Sequence, residues 1–321
     1  MKKTNPVIDA HHHWIPEEHY RHPEPHLRPG DQVVRESDGF HVVRGNMKLF
    51  SASALVTQID EHVKAMDQAG IDQSVLHIGV WLDWMDIKAS RFINDAMAEI
   101  TARHPKRIIP LAHVPPLDSE ARDELRRAVL QLGFKGVGIN AHVEGILLDD
   151  QRFDPFYKTV ADLEVPIVVH PAAEISLPRP NGLEQYDLSR NFGRAFDTSI
   201  NIAHLMLSGT LDRFPHLRFV FSHLGGAFFA LKNRLKSSPA ARGRSLERYL
   251  ERIFVDTAPP FWGPEEIRFS VQMMGEEQVV LGSDFPRFPL LEKTVGTVKN
   301  AKISAGAKKM ILGRTASRLF R

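Results

Sequence analysis

Histidine is the residue type that first suggests chemistry in this chain. The segment VIDAHHHWIP (7–16) runs from an apolar stretch straight into His11, His12 and His13. Side chains alternate along a β-strand, so His11 and His13 project from one face and His12 from the other. Two imidazoles two residues apart on one face can reach a single metal ion. Asp9, Val7 and Ile8 set the run in native sequence rather than in a purification tag. With 16 histidines in 321 residues, one such pair also arises by chance. The rest of a donor set therefore has to come from elsewhere.

Composition narrows the chemistry. There is no cysteine, which excludes disulfides, thiolate nucleophiles and Cys-ligated zinc. Any metal must be held by histidine and carboxylate, a set that suits catalytic zinc, manganese or iron. Forty-one Lys and Arg against 39 Asp and Glu give a net charge of +2, too balanced for a nucleic acid or an anionic membrane as partner. A hydrophobic content of 43% and a charged content of 25% are ordinary for a globular protein with a sizeable core. No apolar stretch approaches the length of a membrane span, and MKKTNP leads into the first strand without a signal-peptide core. The expectation is a cytoplasmic enzyme.

The elements that must position these residues are short apolar runs with helical patterns between them. Strands are predicted at 7–12, 74–79, 108–114, 136–140, 166–171, 217–223, 252–258 and 278–284. Most are nearly continuous apolar runs, as expected of strands buried on both faces of a parallel sheet. Helices are predicted at 53–70, ending in Gly70, at 118–133, capped by Asp118 or Ser119 and ending in Gly133, at 195–215 and at 288–306. Eight strand–helix units predict an α/β fold, a (β/α)8 TIM barrel forming one domain over 1–321. The absence of a Gly-rich dinucleotide fingerprint after the first strand weighs against an open doubly wound sheet. Residues 14–50 form a long Pro-, His- and Arg-rich insertion after the first strand, and 172–194 form a polar loop after the fifth. Both leave the C-terminal face, where barrel active sites are built.

At the C-terminal ends of those strands stand His11 and His13 (strand one), His170 (five), His223 (six) and Asp284 (eight). Far apart in sequence, they converge at the mouth of a closed barrel. Several imidazoles and a carboxylate, with a position left open, make a catalytic metal site.

The motifs DAHHH, HP at His170, FSHLGG at His223 and GSDFP at Asp284 resemble the amidohydrolase superfamily. With VVRGN (42–46), AMDQAGI (65–71), LGFKGVGINAHV (132–143) and LSGTLDRFPHLRFVFSHLGGAF (207–228), the chain resembles the branch of aminocarboxymuconate-semialdehyde decarboxylase and related aromatic-acid decarboxylases over nearly its whole length. The resemblance implies that His11, His13, His170 and Asp284 ligate one divalent metal, zinc or else manganese, with no organic cofactor. His223 is implied as the base that takes a proton from water at the metal. Strand four, GVGIN, has no lysine at its end to bridge a second metal, so one metal is expected. His12 is expected to be structural, and His142 to be either a family feature or a packing residue. Arg44 is implied to hold a substrate carboxylate with its planar fork. Arg234, 11 residues after His223, matches an arginine supplied by a neighbouring subunit, which implies a homodimer or larger assembly. Trp14, Trp81, Trp84 and Phe285 either wall the pocket or pack the core. Two positions depart from the branch: HPAAE lacks an aromatic residue after the Pro, and Leu224 stands where glycine is usual.

The reading is a metal-dependent, non-oxidative decarboxylase of a small unsaturated or aromatic carboxylic acid. In one mechanism, His223 deprotonates water that adds to the substrate before carbon dioxide leaves. In the other, the substrate's own oxygens meet the metal and Asp284 delivers a proton to carbon. A hydrolase of a lactone, amide or ester is the alternative, and a hydratase of an unsaturated diacid a third reading.

Overall fold

The computed structural model describes residues 5–176, 182–183, 185–258 and 262–321. All eight predicted strands are present: β1 (Ile8–His13), β2 (Gln73–His77), β3 (Ile108–Pro110, continued by Ala112–His113), β4 (Val137–Asn140), β5 (Ile167–His170), β6 (Phe219–Phe221), β7 (Ile253–Asp256) and β8 (Val279–Val280). Each pairs in parallel with the next. The loop after β8 returns to β1: the Ala10 amide donates to Leu281 O (2.7 Å), Asp284 N to His11 O (2.9 Å) and His13 N to Phe285 O (2.7 Å). These bonds close the (β/α)8 barrel.

The barrel interior is a separate apolar cluster: Ile8, Ala10, Val75, Ile109, Leu111, Val168, Val220, Phe254 and Val280, with Ala316, Leu319 and Phe320 of the C-terminal segment. Its residues set the parity of the strands that contribute to it, every one but β4. Two residues beyond Val75, Leu111, Val168 and Phe254 stand His77, His113, His170 and Asp256, which therefore face the same interior at its upper end.

Strand β1 obeys a different count. With Ile8 and Ala10 inside, strict alternation would carry His12 inward. A register shift against β2 between Asp9 and His12 reverses the parity, so His11 and His13 turn in. Buried Asp9 holds this irregularity. Its Oδ1 accepts from the amides of His11 (3.1 Å) and Ser283 (3.0 Å), and its Oδ2 from Ser283 Oγ (2.5 Å) and His12 Nδ1 (3.0 Å).

The insertion is more ordered than a Pro-rich loop. It holds a short helix (Glu17–Arg21) and an antiparallel meander of three strands, Gln32–Glu36, Gly39–Arg44 and Met47–Ser53. The tight turns around Asp38–Gly39 and Gly45–Asn46 are the sequence signals for it, with Gly45 in the left-handed region (φ 57).

Among the helices, Ile59–Ala69 ends at left-handed Gly70 (φ 71) as expected. The 118–133 segment shortens to Ala121–Leu130, because Asp118 accepts from the Glu120 amide (2.8 Å) in a turn rather than capping the helix. The 195–215 segment splits into Arg194–Leu207 and Thr210–Arg213 at Gly209 (φ 88). The last shortens to Leu291–Asn300. Helices Ile87–Arg103, Asp154–Asp162 and Pro264–Met274, not singled out by the sequence patterns, complete the alternation after β2, β4 and β7. Among the described residues, no helix is long and apolar enough to cross a membrane.

Candidate active site

Four side chains meet at the barrel mouth. His11 Nε2 lies 3.1 Å from His13 Nε2, and Asp284 Oδ1 lies 2.8 Å from His13 Nε2 and 3.5 Å from His11 Nε2. His170 completes the group, with one donor atom from each residue within 4.8 Å of the others. Ligands bonded to zinc at 2.0–2.1 Å lie about 2.8–3.4 Å apart for angles between a right angle and the tetrahedral value. The observed spacings bracket that range, so the residues fit one divalent ion.

Two of the three imidazoles, His11 and His170, are also presented in the right tautomers. His11 Nδ1 lies 2.8 Å from Asp256 Oδ2, and His170 Nδ1 lies 2.8 Å from Pro171 O. Those oxygens accept, so each Nδ1 carries the hydrogen and each Nε2 offers a lone pair. Burial lowers the pKa of both His13 and His170, keeping them neutral as ligands must be. Burial also opposes protonation of His11, but Asp256 and Asp284 outweigh it and push its pKa up to about 10. Burial would likewise raise Asp284, yet hydrogen bonds from His11 and His13 hold it well below the usual carboxylate range. The cluster is built to draw in positive charge, which is what a divalent cation supplies.

Close backbone approach makes the geometry feasible. At Gly79 (φ 57) a Cβ would stand 2.5 Å from the His13 ring, and at Gly282 it would stand 2.9 Å from both Asp256 and His11. Asp284 and His223 themselves sit in the left-handed region (φ 59 and 57), where non-glycine residues are uncommon and concentrate at functional sites.

His223 stands just outside the four ligands, its ring centroid 5.0 Å from that of His11 and 5.7 Å from that of His170. Its Nδ1 donates to Ala258 O (3.1 Å), which leaves a lone pair on Nε2, the arrangement a general base requires. Among the described residues, His223 belongs to a second possible donor group with His11 and Asp256. That group is already hydrogen-bonded internally: Asp256 accepts from the His11 ring and from the amides of His223 (3.0 Å) and Ala258 (3.0 Å). It therefore acts as a support for the first.

Asp256 went unrecognised in the sequence reading, as did His77, His113 and Asn140. The signal was available, since each ends an apolar strand run just as His170 does. Replacing Asp256 with asparagine should lower metal affinity about 10- to 100-fold, the usual effect of removing a carboxylate behind a ligating histidine. Competition with a chelator measures it, and unchanged affinity would remove Asp256 from the site.

The remaining residues sort clearly. His12 points away, bonded to Asp9 and to His62 Nδ1 (3.2 Å). His142 donates to Glu174 O (2.9 Å) and accepts from the Gly145 amide (3.0 Å), holding the turn after β4 against the β5 loop. Asn140, rather than a lysine, ends β4 and donates to Asp83 Oδ1 (2.7 Å). Trp14, Trp81 and Phe285 are core residues, while Trp84, also buried, lines a side cavity of about 260 Å3 with Asp83, Asn140 and His142.

Arg44 is partly exposed, and its fork is engaged by Asp31 (2.7 Å) and Glu174. Glu174, in the loop after β5, thus supplies Arg44 with an internal carboxylate. Arg194 ties the same two segments together, donating to Leu49 O and Ala173 O (both 2.7 Å). Arg234 is exposed in the short helical segment Lys232–Ser237 and forms no ion pair among the described residues.

A closed parallel barrel with this strand-end donor set defines a metal-dependent barrel enzyme. The chain matches the amidohydrolase family over residues 8–321, and it belongs to that family. It is 28% identical over 274 residues to the 2-amino-3-carboxymuconate-6-semialdehyde decarboxylase of Dictyostelium discoideum, covering 80% of this chain and 75% of that one. It is 29% identical over 332 residues to the gamma-resorcylate decarboxylase of Rhodococcus jostii, covering 95% and 97%. The solved 5-carboxyvanillate decarboxylase of Novosphingobium aromaticivorans, complexed with manganese and 4-hydroxy-3-methoxy-5-nitrobenzoic acid, superposes with a TM-score of 0.78 at 23% identity, covering 99% and 97%.

Proposed function

We propose that this protein is a metal-dependent, non-oxidative decarboxylase of a planar aromatic or unsaturated carboxylic acid. The observation that carries the reading is the complete mononuclear donor set, His11, His13, His170 and Asp284, in a chain whose relatives named above all remove a carboxyl group. The metal would be held by those four residues and would supply a Lewis acid that withdraws electrons from bound substrate oxygens as the carbon–carbon bond breaks. Three imidazoles and one carboxylate suit either zinc or manganese. Metal analysis of the purified protein decides between them.

The chain's own groups divide the remaining work. His223 presents the Nε2 lone pair that accepts a proton during substrate activation. Asp284, kept ionised by His11 and His13, takes up a proton only during the reaction and can pass it to the carbon that loses carbon dioxide. Arg44 meets a substrate carboxylate by exchanging it for Glu174. Incubating the metal-loaded protein with a panel of hydroxybenzoic and muconic acids should release carbon dioxide stoichiometric with the decarboxylated product, without oxygen or an organic cofactor. If none reacts while lactones of similar size are hydrolysed, the same donor set is serving a hydrolase.

The reading includes a cytoplasmic homodimer in which Arg234 serves the neighbouring subunit's site, a role that suits its exposure. Mixing Arg44→Ala with Arg234→Ala subunits should restore activity above either parent. Mixed dimers without recovery would remove the trans arginine.

A further inference from the structure

His77 is packed into the metal centre as tightly as the ligands are, yet it is not one of them. Its ring centroid lies 4.5 Å from that of His13, 4.9 Å from His11 and 5.5 Å from His170. The three ligating rings are themselves 4.9, 5.0 and 5.3 Å apart. His77 ends β2, is 2% exposed, and shares the inward parity of Val75.

Its tautomer is dictated by the backbone. The Gly79 amide donates to His77 Nδ1 (3.1 Å), so Nδ1 carries the lone pair and the ring hydrogen is on Nε2. Neither nitrogen is then free to ligate a metal. The Nε2–H is buried and has no acceptor among the described residues. Buried donors are almost always satisfied, and one without a protein acceptor calls for a water or a ligand. Gly79 reinforces the arrangement, since the same residue that fixes His77 also makes room for the His13 ring.

We propose that His77 donates its Nε2–H to an oxygen of the acid anion bound at the metal centre, making it a substrate-holding residue beside the four ligands. The proposal rests on the reading that this site takes a carboxylic acid. Because the donor recognises an anionic oxygen rather than the ring that carries it, a simple carboxylate should engage it too. A hydrogen bond to a charged group corresponds to about a ten- to hundredfold change in binding.

The test uses the zinc-loaded protein and two probes, acetate and 4-hydroxy-3-methoxy-5-nitrobenzoic acid, with affinities measured by calorimetry. His77→Phe should keep one zinc per chain and bind both probes about ten- to hundredfold more weakly. His77→Gln, which retains an N–H, should recover most of that loss. In the wild-type protein labelled with 15N-histidine, the His77 Nε2–H resonance should move downfield when either probe is added. That measurement needs no folded variant. A resonance that neither anion moves, or unchanged affinity in His77→Phe, would overturn the assignment, as would loss of zinc in both variants. If acetate shifts the resonance while the nitrobenzoic acid does not bind, the aromatic-acid reading fails and the donor role of His77 stands.

Discussion

Replacing His170 with alanine should strip the protein of its metal and lower turnover by more than about a thousandfold, beyond the effect of losing one stabilising donor in an otherwise intact site. His170 is the one ligand contributed by the far side of the barrel from β1. Its Nδ1–H is fixed on Pro171 O, so its lone pair points at the His11–His13–Asp284 group with little freedom to lose. Without it, the metal keeps two adjacent imidazoles and a single carboxylate, with no ligand from β5. The barrel itself should survive. A buried substitution of this kind costs roughly 1–3 kcal/mol, and no backbone ladder of β5 depends on the ring. Metal analysis and far-ultraviolet circular dichroism of the variant check both halves. Full metal content in His170→Ala, or two metals per chain in the wild type, would show that the ligand set is wrong.

His223→Ala should behave differently. Turnover should fall by about a hundredfold or more, the scale of general acid–base catalysis, while the metal stays bound. The distinction follows from geometry: His223 Nδ1 is committed to Ala258 O and its ring stands outside the four-residue group. Its backbone amide also leans on Asp256, which in turn orients His11. Truncating the side chain leaves that amide bond intact, so His11 keeps its tautomer. A variant that lost its metal as completely as His170→Ala would instead make His223 a ligand. Measuring metal content alongside rate therefore separates a base from a ligand in one preparation.

Much of this architecture could be read in advance because it rests on local rules. Strands buried on both faces must be nearly continuous apolar runs, and most of the eight were visible as such. A polar residue ending such a run has to lie at the barrel mouth, which located His170, His223 and Asp284. The same rule, applied evenly, reaches His77, His113 and Asp256. They were passed over because a single buried histidine or aspartate in a strand is ordinarily a satisfied packing residue, and only its neighbours in space say otherwise. The meander inside the insertion was missed because its strands alternate weakly and lie in a segment rich in Pro, His and Arg.

The amino-acid sequence by itself determined that His11 and His13 share a face, because that follows from a period of two wherever the strand lies. It could not determine which face. Counting from the interior residues Ile8 and Ala10 turns His12 into the barrel, and only the register shift anchored by Asp9 and Ser283, 274 residues apart in the chain, turns His11 and His13 in instead. The occupancy of Arg44 was likewise decided in three dimensions, where Asp31 and Glu174 arrive from two separate loops. Local periodicity sets what a strand can present. Hydrogen bonds between distant segments decide which side of it meets the metal, because a buried polar group must find its partner wherever the closed barrel brings one.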